Sequence, residues 1–329
     1  MPQTFAAADA VELAVVDRSG FVESRHAGIA IVLAADGTIH TKLGDPSALI
    51  LARSSLKPLQ ALACLSAGAP LEGERLGLAT ASHSGTDRHV AVVRDILSLA
   101  ELSEEDLGCP PAWPGDTATR DEMVRELGQP ARIRMNCSGK HATMLVTSVV
   151  NGWDPEGYLA PGHPVQILIR ETIERLIGEK IAATAVDGCG APVYAMTLFG
   201  LARAVHRIGN SSTTSPFALH RSAGALVDAV RANPWTIDGP GRADTIAIER
   251  LGVFAKGGAE GVMVMVAPDG TTVTLKMLDG SGRAATAVAV RLLERHGALA
   301  SADVADTMSR LPLAVTGGGQ DVGVIRPAF

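Results

Sequence analysis

The chain has 329 residues, enough for one large domain or two ordinary ones, with a substantial core in either case. It is 47% hydrophobic and 19% charged with 35 glycines, a globular balance that excludes a disordered chain. A net charge of −6 with no Lys/Arg cluster argues against a nucleic-acid partner. The start, MPQTFAAADAVELAVVDRSG, has no basic stretch followed by a continuous apolar core, so no secretory signal is evident. No apolar run reaches the ~18–20 residues of a membrane span. Cys64, Cys109, Cys137 and Cys189 are too widely spaced for a disulfide scaffold. The expected setting is therefore soluble and cytoplasmic.

In chain order, the opening segment reads as strands. GIAIVLAADGTIHTKLG (28–44) has two β-rich runs around Ala35-Asp36-Gly37, a hairpin signal. From Pro58 the pattern turns helical through Leu59, Leu62, Ala63 and Leu65, and stops at Gly68. Proline is tolerated only in a helix's first turn, so Pro58 pins the helix start near Ser54–Lys57. From about residue 86 to 235 helical patterns dominate: His89–Leu99, Thr143–Val150, Val165–Ile177, Ala195–Val205 and Pro216–Arg231. GVMVMVAPDGTTVTLKML (261–278) then reads as a second hairpin around Pro268-Asp269-Gly270, followed by a helix over Arg283–Glu294.

Strands at both ends with helices between predict an α/β fold with an antiparallel sheet built from both chain ends. The expected division is 1–53 plus 240–329 as an α/β layer and 54–239 as a mainly helical part, forming one compact unit with the active site between them. The layout is shared with serine β-lactamase/glutaminase-like folds, an analogy that by itself says nothing of chemistry.

RSSLKP (53–58) contains the spacing S-x-x-K at Ser54 and Lys57. On a helix, positions three apart share a face with Cβ atoms about 5–6 Å apart. That spacing is the nucleophile–base motif of penicillin-binding proteins and class A β-lactamases, and it also arises at ordinary capped helix starts. ATASHSG (79–85), MNCSGKHATM (135–144), VDGCGAP (186–192) and FAKGGAEG (254–261) each set a nucleophile, base or ligand beside glycine at an edge between elements. Singly they read equally well as caps and tight turns. Cys64 on an apolar helical face and Cys109 before Pro110 read as buried small residues.

In this order RSSLKP, ASHSGTDRH, NCSGKH, DGCGAP and AKGGAEG resemble the Rhizobium-type (class 3) L-asparaginase family. DRSGFVESRHAG and GPGRADT extend the likeness over about residues 14–285. The resemblance implies hydrolysis of L-asparagine to L-aspartate and ammonia by a homodimer, through a Ser-Lys acyl-enzyme. Its first pair falls on Ser54 and Lys57 and its second on Ser82 and Lys256. Zn²⁺ ligands fall on Cys137, Lys140 and Cys189, and supporting positions on Arg53, His141 and Asp187.

The chemistry is coherent. Amide hydrolysis gains from division into acylation and deacylation. A lysine serves as base only when neutral, and burial or a second cation lowers its pKa. Arg53 could bind the substrate carboxylate or brace Asp187, which could itself take the ammonium. Two thiolates, an amine nitrogen and a water would make a tetrahedral zinc site with an open position, supporting substrate binding rather than the fold. The rivals are a serine-dependent glutaminase, a β-lactamase-like amidohydrolase and a non-catalytic amino-acid-binding sensor. A penicillin-recognising enzyme is disfavoured because S-D-N is missing and A-K-G-G replaces K-T-G.

Overall fold

Ser19 and Gly20 both adopt positive φ, the twist that joins two antiparallel strands with a two-residue loop. They connect β1 (Val11–Arg18) to β2 (Phe21–Leu33), and Gly37 then turns β2 back into β3 (Ile39–Leu43). The computed structural model describes residues 2–329. After β3 the chain leaves this layer, passes through β4 (Leu49–Leu51), and returns some two hundred residues later at Phe254.

The middle carries helices and two further strands, β5 (Ala183–Val186) and β6 (Pro192–Thr197), which form a separate sheet in the order β4-β6-β5. β7 (Phe254–Gly258), β8 (Val262–Val266) and β9 (Thr272–Met277) follow, with Gly270 at positive φ in the expected second hairpin. β10 (Ala314–Gly317) and β11 (Gln320–Pro327) end the chain. The main sheet runs β10-β11-β1-β2-β9-β8-β7, with β3 also paired to β2. The β2–β9 pairing, from Gly28 opposite Met277 to Leu33 opposite Thr272, joins the first part of the chain to the last.

Every residue of β8 and β9 is buried. A half-solvated antiparallel sheet would show alternation, so both faces of these strands are covered. The helices Leu198–Gly209 and Ala285–Arg295 pack on both strands. The fold is therefore mixed α/β, with an antiparallel sheet built from both chain ends. No helix among the described residues is long and apolar enough to cross a membrane.

Two local expectations change. The helix expected over Ala195–Val205 is Leu198–Gly209 instead, with Thr197 as N-cap accepting from Gly200 N at 2.8 Å. Residues 192–197 are strand, because an apolar run of this length fits a buried strand as well as a helix. The helices Gly73–Ala79 and Ala243–Leu251 escaped the pattern because they are too short to show a period, and Thr117–Arg125 because none of its residues is buried.

Gly28 shows how tightly the β2–β9 seam is made. A methyl group there would run into the Lys276 carbonyl oxygen and lie 2.8 Å from Leu13 Cδ1. Gly28→Ala is expected to destabilise by about 1–3 kcal/mol through overpacking. Chemical denaturation checks this, and a midpoint equal to that of the parent would refute it.

Candidate active site

At the end of β4 the chain passes through Ala52 into a 3₁₀ turn, Arg53–Leu56, and then into the helix Lys57–Ser66 with Pro58 in its first turn. Arg53 holds φ +50°, a left-handed conformation that costs a non-glycine residue of order 1 kcal/mol. Ser55 is buried and donates to Ala52 O at 2.5 Å, while Ser54 is half-buried. The edge strand β7 runs against this turn. A Cβ on Gly258 would stand 3.1 Å from Ser55 N and 3.3 Å from Ser54 N, so glycine lets the two backbones meet.

Lys57 is 1% exposed. Its ammonium donates to Ala81 O, to Ser82 Oγ at 3.0 Å and to Asn136 O at 3.3 Å, three acceptors for three N–H bonds. Ser82 is half-buried, and its own N–H donates to Ile237 O at 2.8 Å. The hydrogen bond that Lys57 makes to a serine is to Ser82 and not to Ser54. Ser54 lies in the 3₁₀ turn and Lys57 opens the helix, with the Lys57 N–H donating to Ser54 O, so the two side chains stand one turn apart. Lys57 is a core residue, with its tip turned inward.

Burial lowers the Lys57 pKa to about 8, helped by the cations Lys256 and Lys140 and opposed by Cys137. Lys256 is 2% exposed and donates to Gly257 O; no hydrogen bond joins it to Ser82. Burial lowers its pKa too, against the pull of Asp244 and Asp238. Two adjacent buried lysines held below their ordinary range form the basic centre of the site.

Lys140 donates to Cys189 Sγ at 3.1 Å, and all four cysteines are unbridged. A hydrogen bond with Cys189 drives the Cys137 thiol well below its usual value, against burial and with help from Lys57 and Lys140. The same contact, with burial, raises Cys189, so the two thiols titrate as a pair. Burial disfavours charge on Lys140, but Cys137 and Cys189 outweigh it and keep its pKa above the ordinary lysine value. Among the described residues no three His, Cys, Asp or Glu side chains group as metal ligands. An ion bound here would need the Lys140 nitrogen as its third donor. Cys64 and Cys109 are buried, and burial pushes both thiols up to about 11.

Arg53 Nε donates to Asp187 Oδ1 at 2.8 Å, with Glu260 3.8 Å from its outer nitrogen. Burial works against ionised Asp187, but Lys140 and Arg53 leave its pKa below the ordinary carboxylate value. His141 is fully buried with Nδ1 2.5 Å from Tyr158 Oη, and Tyr158 Oη accepts from Gly108 N. Burial, then Lys140 and Lys57, keep this imidazole neutral, and its Nε2 has no partner.

Sequence reading missed four residues around the site: Asp238, Asp244, His83 and Tyr158. His83 accepts from Gly85 N at Nδ1 and bonds Ser138 Oγ at 2.9 Å, tying the loop of Ser82 to the helix of Lys140. Asp244 is buried and accepts from Gly257 N at 2.6 Å. The acidic residues of IDGPGRADT beside repeated glycines were the available signal.

A family model described as L-asparaginase II matches residues 14–327. Among curated proteins none matches significantly. Among solved structures, the native form of Mglu is 14% identical with a TM-score of 0.45, covering 82% of this chain and 64% of that one. A Bacillus glutaminase in 4.3 M NaCl is 12% identical with a TM-score of 0.46, covering 82% and 91%. The chain thus spans just under two thirds of the length of Mglu.

Burial separates Lys57 from Ser54 in a measurable way. Lys57→Ala leaves a void and strands the Ala81 and Asn136 carbonyls, for an expected loss of about 2–4 kcal/mol. Ser54→Ala should stay within about 0.5 kcal/mol of the parent. Denaturant midpoints decide it, and equal stability of both variants would contradict this picture of Lys57.

Proposed function

The chain belongs to the L-asparaginase II family, and from that premise we propose that it is an amidohydrolase that converts L-asparagine to L-aspartate and ammonia. The observation that carries the reading is the Lys57–Ser82 hydrogen bond with Lys57 lowered to about 8, a base already joined to a hydroxyl. Ser54 Oγ attacks the side-chain carbonyl carbon, and Lys57 in its neutral form receives the serine proton. Ser82 passes that proton to the leaving nitrogen as the C–N bond breaks. Ammonia departs and leaves an ester on Ser54. Water, deprotonated by the same base, attacks the ester and frees aspartate. Lys256, buried on β7, adds positive potential where the oxyanion forms. The Ser54 N–H, at the start of the 3₁₀ turn and against Gly258, is a fitting donor to that oxyanion. Arg53, steadied by Asp187, supports recognition of the substrate carboxylate.

Zinc belongs to this proposal. The donors suit a soft cation: the Cys137 thiol is held well below its usual value, and Lys140 lies against Cys189 and would bind by giving up its proton. When bound, Zn²⁺ would supply a Lewis-acidic coordination position beside the pocket. His141, neutral and fixed by Tyr158, buttresses the helix that carries Lys140. A cytoplasmic homodimer completes the reading.

Ammonia release from asparagine, glutamine and a β-lactam tests the assignment. Asparagine should be turned over, and mass spectrometry should find an acyl adduct on Ser54. Ser54→Ala should lose both. Because the neutral lysine is the base, activity should climb about tenfold per pH unit below pH 8 and level off above it. The inflection belongs to the coupled lysines. A profile flat from about pH 6 to 10 rejects a lysine base.

Metal removal gives a further outcome. Stripped protein should remain folded, since a core of this size needs no staple. Its KM should rise more than its kcat falls. Cys137→Ser and Cys189→Ser should show the same pattern without rescue by added zinc. Unfolding on chelation would make the site structural instead.

A further inference from the structure

A zwitterionic substrate brings its own cation into a pocket that already holds Lys57, Lys256 and Arg53, so an anion with free lone pairs must face it. Three carboxylates around the site are spoken for. Asp187 is engaged by Arg53 at 2.8 Å and by Gly188 N at 2.9 Å. Asp244 is buried and spends one oxygen on Gly257 N and the other on Thr286 Oγ1. Glu260 is largely exposed and lies on the outer flank of Arg53, the side assigned to the substrate carboxylate.

Asp238 differs from all of these. It directly follows Ile237, whose carbonyl accepts the Ser82 N–H, so the backbone fixes it beside the Lys57–Ser82 pair. Its side chain is 29% exposed, and its one ionic partner is Arg242 Nε at a long 3.5 Å. Gly239, at φ +133°, has no room for a side chain against Ser84 Oγ, so the loop of Asp238 packs directly on the loop of Ser82.

We infer that Asp238 is the residue that receives the α-ammonium of the amino-acid substrate. The inference rests on the asparagine reading and deepens it. Burial and the charge of Asp244 push the Asp238 pKa up to about 6, against the pull of Arg242, Lys256 and Lys57. Asp238 is therefore ionised over the alkaline range in which Lys57 is neutral, and both groups are ready together.

The test compares asparagine with 3-carbamoylpropanoate, which keeps the amide and the carboxylate but lacks the ammonium. The parent enzyme should prefer asparagine by about 10–100-fold in kcat/KM, the worth of one charge-assisted contact. Asp238→Asn should raise KM for asparagine by a similar factor with kcat within about threefold, and leave the deaminated analogue unchanged. Asp238→Ala is a second variant, with thermal unfolding as the check on folding. An unaltered KM for asparagine, or an equal loss on both substrates, overturns the assignment. A parent enzyme that releases no ammonia from asparagine overturns the underlying reading as well, so the two failures are distinguishable.

Discussion

Burying an ammonium group is costly unless every N–H finds an acceptor. Lys57 satisfies that demand with a carbonyl from the loop after one helix, a hydroxyl from the same loop and a carbonyl from the turn before another. Three segments far apart in the chain are thereby held at one point. The loop of Ser82 cannot shift without stranding the lysine. Nor can the turn at Asn136, which is followed at once by Cys137 and the helix of Lys140. The site is assembled around one satisfied cation, and its lowered pKa follows from the same enclosure.

The charges around that centre are matched in layers. Asp187 balances Arg53 and lies within reach of the charge on Lys140, while the Cys137 sulfur answers Lys140 and Lys57. Asp244 sits under β7 and offsets Lys256. In the proposed reading Asp238 keeps lone pairs for a visitor. Such a pocket would bind a small zwitterion by completing a charge pattern, and ill-matched ligands would leave a buried charge unanswered.

Much of the fold was legible in the residues. The hairpin glycines at 37 and 270 adopt the positive φ their positions required, and Pro58 lies in the first turn of its helix. Strand β6 was misread because apolar length alone does not separate a buried strand from a helix. Ser54 and Lys57 were visible by their S-x-x-K spacing, and Ser82, Cys137, Lys140, Asp187 and Cys189 as reactive residues beside glycine. The partner of Lys57 was not. A four-carbon side chain can reach several neighbours, and only packing chooses among them. Asp238 was hidden because a lone acid in a glycine-rich loop looks like surface.

The pairing of β2 with β9 also bears on how the chain comes into being. β2 is made early, yet the strand that covers it begins at residue 272. At about 5–20 residues per second, ribosomal synthesis leaves some tens of seconds before that partner emerges. Throughout that interval the apolar end of β2, Gly28–Leu33, has one open edge, a template for any other nascent copy. The same delay withholds Lys256, so the basic centre is completed only near the end of translation. Interleaving the two chain ends in one layer makes the finished enzyme hard to unravel, and makes its birth the most vulnerable moment of its life.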